Sequence, residues 1–155
     1  MKIKLLSALA LIGLSVLLWR SFAHPAVAQA QTRKPLFITR IYTGADGLSH
    51  AEEVEMKFSG SPTNQVSEMM KATGAEFHRA APGNASDWHA APRRQYVITL
   101  SGQGEIEVAG GKKIPIGPGH VDLIEDLTGK GHITRTVGTE DRLIVQIPLD
   151  GPVSK

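Results

Sequence analysis

The sequence predicts an all-β domain, and three observations carry the prediction. Sixteen glycines and nine prolines in 155 residues favour many short strands with tight turns over a helical bundle. Six runs of strand-forming residues crowd into 95–100, 104–108, 112–116, 121–124, 132–137 and 142–147. Most are separated by glycine-bearing turns: Ser101-Gly102, Gly110-Gly111, Gly117-Pro118-Gly119 and Gly138. This spacing leaves no room for crossover helices, so an antiparallel sandwich or barrel is expected.

Taken in order, the elements follow from local pattern. Residues 1–30 hold a basic start (Lys2, Lys4), an apolar run from Leu5 to Trp19, and Ala28-Gln29-Ala30, the order of a secretory signal peptide. A membrane anchor is the competing reading, but spanning takes about 20 apolar residues and Arg20 interrupts the run. The expectation is cleavage after Ala28 or Ala30, a secreted or periplasmic product, and no stable membrane span after cleavage. Residues 31–35 read as a linker into one domain, 36–150, a length sufficient for one core and too short for two.

Within that domain, 36–42 is rich in β-formers and ends at the turn signal TGADG. Val54, Met56 and Phe58 alternate with Glu55 and Lys57, the pattern of a half-buried strand. A loop at 60–64 follows, then 65–70, which reads equally as strand or helical turn. Residues 75–80 form the next expected strand, ahead of the loop APGNASD.

Composition narrows the chemistry. Cysteine is absent, which excludes disulfides, thiolate catalysis and cysteine-held zinc. Any metal must be held by imidazole, carboxylate, amide or water. With Lys2, Lys4 and Arg20 removed, 14 Lys/Arg stand against 15 Asp/Glu, so the formal +2 of the full chain becomes −1. The basic face that nucleic-acid binding needs is then missing, and nucleic acid is not an expected partner. Gly102-Gln103-Gly104 lacks the third glycine of a dinucleotide fingerprint, and Thr128-Gly129-Lys130-Gly131 lacks the upstream glycine of a phosphate loop.

The residues with chemical potential lie in WHAAPRRQYVITLSG, from Trp88 to Gly102, and EDLTGKGHITR, from Glu125 to Arg135. The first places His89 and Gln95 ahead of a strand. The second delivers His132 behind a glycine-spaced loop. Together they resemble the two motifs of the cupin superfamily, in which two histidines one residue apart precede a glutamate and a glycine, and a further histidine arrives on a later strand. The resemblance covers 76–149 and is similar to small single-domain bacterial cupins. It departs at two positions, with Asp87 where the first histidine stands and Gln95 where the glutamate stands.

The resemblance implies an antiparallel double-stranded β-helix, the jelly-roll barrel, with His89 and His132 facing each other inside it. It further implies a divalent metal on these histidines, with Gln95, Asp87 or water completing the shell. Zinc, iron, manganese, nickel and copper all suit such ligands. If the segment before Pro92 is extended, Asp87 and His89 share one face at i, i+2; a turn cap is the alternative role for Asp87. Gln95, a neutral amide, is alternatively an orienter of water or substrate. Trp88, Arg93, Thr134 and His78 are the candidate substrate contacts, against packing at the barrel mouth for Trp88 and pairing with a glutamate for Arg93.

Glu125 and Asp126 are retained as general base or acid because they precede His132; the ordinary reading is a solvated loop. His50 and His120 read as surface residues. DLTGKG is longer than the corresponding family turn and is expected to narrow the mouth or shift His132. Two functions follow: a small-molecule binder acting through a two-histidine metal, or a metal-free cupin serving as a ligand-binding or assembly module. Exposed barrel edges also point to a homodimer.

Overall fold

The computed structural model describes residues 33–154; the expected signal segment, 1–30, lies outside the described residues. Eleven strands follow one another: β1 Phe37–Thr43, β2 Ser49–Glu55, β3 Phe58–Gly60, β4 Gln65–Ser67, β5 Glu76–Ala80, β6 Gln95–Ser101, β7 Gln103–Glu107, β8 Lys113–Ile116, β9 Val121–Glu125, β10 Ile133–Val137 and β11 Arg142–Pro148. The only helical element among the described residues is a 3₁₀ turn, Ala109–Gly111. All six runs expected between 95 and 147 are strands, with bounds moved by a single residue at most. Residues 65–70, open between strand and helical turn, begin with β4.

The strands build a six-stranded sheet in the order β2-β1-β9-β6-β11-β5, a three-stranded sheet in the order β10-β7-β8, and the small β3–β4 hairpin. One pair departs from the antiparallel expectation: β1 runs parallel to β9, with Thr39 opposite Asp122 and Ile41 opposite Ile124. The two strands are far apart in sequence, so no short turn dictates their relative direction.

The alternation at 54–58 also resolves differently. β2 starts earlier, at Ser49, and ends where its partner runs out, with Glu55 opposite Phe37. Val54 and Met56 are half-buried against Ile38, Leu123 and Leu149, while Phe58 is exposed and opens a separate strand.

Packing explains why two sheets form. Ile41, Val97, Ile124 and Ile144 of the large sheet share one buried cluster with Ile106, Ile114 and Ile116 of the small sheet. The sheets therefore pack face to face, each contributing alternate side chains to the interior. The opposite face of the large sheet carries the second cluster, around Ile38, Leu123 and Leu149. β9 lies between the two clusters and is the most deeply buried strand, with Asp122 to Glu125 all inaccessible. Removing an apolar face from water on this scale supplies the main driving force for folding.

Candidate functional site

A cavity of about 610 Å³ opens between the two sheets, within the range of small-molecule sites. Its walls follow the period of two along each strand. β6 contributes Gln95 and Val97, β9 contributes Asp122 and Ile124, and β11 contributes Arg142, Ile144 and Gln146. From the other side come Ile106, Ile116, Thr134 and Thr136. His89 and His132 stand in the same wall.

The two histidines are brought together by backbone. His89 N–H donates to the His132 carbonyl and His132 N–H to that of His89, both at 3.0 Å. This antiparallel bridge sets the two rings side by side, with centroids 4.7 Å apart and planes tilted by 52°. Each Nδ1 is then engaged. The Asp87 carbonyl, which can only accept, holds His89 Nδ1 at 3.0 Å, so that nitrogen carries the proton. His132 Nδ1 lies 2.7 Å from Asp126 Oδ2; a carboxylate there fixes the same tautomer. In the neutral form of each ring this leaves the lone pair on Nε2. His132 is 5% exposed, whereas His89 is exposed at the cavity rim.

Asp87 does not join them. It is exposed and does not line the cavity. The reason is a parity break. Ala85 bridges Arg135 and His89 bridges His132, so four steps along one segment match three along the other, as at a β-bulge. The extra residue turns Asp87 away from the face that His89 occupies. Gln95 does line the cavity and is buried, with its Oε1 accepting from Arg93 Nε at 3.3 Å. Among the described residues, no group of three or more His, Asp or Glu is placed to hold a metal ion. A metal here would rest on His89 and His132, completed by the Gln95 amide oxygen or water.

The remaining candidates separate clearly. Thr134, Arg93 and His78 line the cavity. Arg93 pairs with Glu76 at 3.0 Å, and His78 reaches the same carboxylate at 3.1 Å. The contact from His78, then that from Arg93, holds Glu76 below the usual carboxylate range. Trp88 lies outside the cavity lining, with the Lys130 ammonium 4.0 Å above its ring, a cation–π contact.

The DLTGKG segment does not line the cavity either. Thr43 Oγ1 donates to the Thr128 carbonyl at 3.1 Å and Ser49 Oγ to that of Gly131 at 2.7 Å, seating the loop on the β1–β2 end.

Glu125 and Asp126 are neither solvated nor in the cavity. Glu125 is an outer-face anchor, bonded by Arg94 Nε at 2.6 Å, Arg40 Nε at 2.7 Å and both N–H and Oγ of Ser154 at 2.9 Å. Burial pushes its carboxyl up, but these donors together bring it below its ordinary value. Asp126 instead orients His132. His120, read as a surface residue, is mostly covered, its Nε2 3.0 Å from Asp122 Oδ1. That bond raises the histidine, and burial raises Asp122, so both effects favour a proton at their contact.

Arg142, Asp122 and Thr136 are cavity residues that the motif comparison did not single out. The available signal was a charged side chain at an inward position of an otherwise apolar strand, as in VDLI and RLIVQI.

Comparison with known proteins returns no matching family model and no matching curated protein. Among solved structures, the chain is similar to an RmlC-like cupin protein from Desulfovibrio desulfuricans at 17% identity, covering 72% of this chain and 81% of that one with a TM-score of 0.38. It is similar to the Schizosaccharomyces pombe Cnp3 cupin domain at 12% identity, covering 76% and 89%, TM-score 0.40. A third is dTDP-6-deoxy-D-glucose-3,5-epimerase RmlC from Legionella pneumophila, at 11% identity, covering 76% and 73%, TM-score 0.38.

Proposed function

We propose that this chain is an exported, cupin-like small-molecule-binding domain that holds its ligand with the help of a divalent metal on His89 and His132. The observation that carries the reading is the paired orientation of the two imidazoles, each with Nδ1 tied to an oxygen, which in the neutral ring leaves the Nε2 lone pair for an ion. Histidine ligands are typically oriented in this way by a carbonyl or carboxylate behind them. Asp126 and the Asp87 backbone supply that support, and Gln95 borders the same space. When bound, such an ion supplies Lewis acidity. The protein's own contribution is to fix the tautomers, shield His132 from water and shape the cavity.

The test is elemental analysis of the mature protein purified without an affinity tag, beside a His89→Ala/His132→Ala variant. Near-stoichiometric zinc, iron, manganese, nickel or copper that is lost in the variant is expected. Background metal in the wild type, with a melting transition unchanged by chelator, would overturn the metal. It would favour the second reading, a metal-free ligand-binding module. That reading draws on the donor set: among the described residues, no group of three or more His, Asp or Glu is placed to hold an ion.

A further inference from the structure

We propose that the ligand of this cavity carries an oxyanion, a carboxylate or phosphate group, and that Arg142 binds it. The inference rests on the cavity being a ligand site and does not require the metal.

Arg142 opens β11 and lines the cavity, yet it is only 6% exposed. Its Nε is buried without a partner, and no ion pair or hydrogen bond of its guanidinium is found among the described residues. A buried charge is costly unless it is paired. The other well-buried arginines obey that rule, since Arg40 and Arg94 both close on Glu125. Arg142 stands apart from them, and burial holds its pKa below the ordinary arginine value.

The one acid acting on Arg142 is Asp122. It is committed elsewhere, with Oδ1 on His120 and Oδ2 facing no donor. Asp122 therefore acts on Arg142 through space without accepting a hydrogen bond from it, and the guanidinium has no acceptor of its own at the cavity wall. Thr136 adds a buried hydroxyl without a partner in the same wall. A fork of N–H donors beside a free hydroxyl matches an oxyanion and gives bidentate contacts their usual preference for carboxylate or phosphate. The chain also leaves room for this side chain. A Cβ at Gly104 would lie 2.9 Å from Arg142 Cδ, so glycine at that position leaves space for the arginine stem.

The experiment compares wild type, Arg142→Met and the His89→Ala/His132→Ala variant by thermal shift and calorimetric titration, with and without chelator. The probes are acetate, malonate, citrate and inorganic phosphate, with acetamide and glycerol as neutral controls. At least one anion is expected to protect the wild type while the neutral probes do not. In Arg142→Met its affinity should fall about tenfold or more, the loss of a charge-assisted contact. The ligand-free variant should melt no lower than wild type, because an unpaired buried charge has been replaced by an apolar side chain. A purely structural arginine would give the opposite, a lower melting point.

Anion protection that survives in the histidine variant separates this inference from the metal reading. Equal anion affinity in Arg142→Met, or no protection of wild type by any of the four anions, overturns it.

Discussion

Gly131→Ala is expected to cost more than about 3 kcal/mol or to prevent folding altogether. A Cβ at this position would lie 1.8 Å from the His89 carbonyl oxygen, 2.1 Å from its carbon and 2.4 Å from Ala90 N. These are backbone atoms of the strand segment that bridges His132, so no side chain can swing aside. The φ of +71° adds a second penalty, about 1–2 kcal/mol for an L-residue in the left-handed region. Gly110→Ala separates the two effects. Its φ is +75°, but nothing lies within 4 Å of its Cβ position, so only the conformational penalty should appear. Urea unfolding of the two variants checks the difference. Comparable destabilisation would show that the close approach at His89 does not exist.

Glu125→Ala is the second large effect, expected at about 3–5 kcal/mol and a melting point lower by on the order of 10–20 °C. Removing this carboxylate leaves the buried Arg94 without its ion pair, takes from Arg40 one of its two acid partners, Glu52 remaining, and releases Ser154. Glu125→Gln should recover part of the loss, because an amide oxygen still accepts from Arg94.

The same carboxylate predicts a pH dependence. Its folded pKa lies below the ordinary 4.5, so its stabilisation is present above pH 4.5 and is lost as pH falls through the folded value. Acid unfolding of Glu125→Gln should therefore show a shallower slope below pH 4.5 than wild type. Equal slopes would assign the acid sensitivity to other groups.

These two sites show how unevenly the sequence can be read. The strands from 95 to 147 were legible because glycine turns and β-forming runs are local signals. The His89–His132 pairing was legible through the spacing of two motifs. Asp87 was misplaced because i, i+2 parity assumes an uninterrupted strand, and one extra residue between Ala85 and His89 breaks it.

Glu125 and Asp126 read as a solvated pair because their partners are invisible locally; Arg40 is 85 positions away. The parallel β1–β9 pairing is hidden for the same reason. Arg142 and Asp122 occupied inward positions in plain view. A charge at such a position has meaning only once the facing wall, with Thr136 and Gly104, is known.

We propose that His89 and His132, as neutral rings, present their Nε2 atoms to one cavity and share an ion there. The most direct measurement is the ¹⁵N spectrum of the histidine rings, recorded before and during titration with zinc. Both rings are expected to carry their proton on Nδ1 in the metal-free protein, and their two Nε2 resonances to move together as zinc is added. A proton on Nε2 of either ring in the metal-free protein, or zinc perturbing His50 or His78 while these two stay fixed, would contradict it.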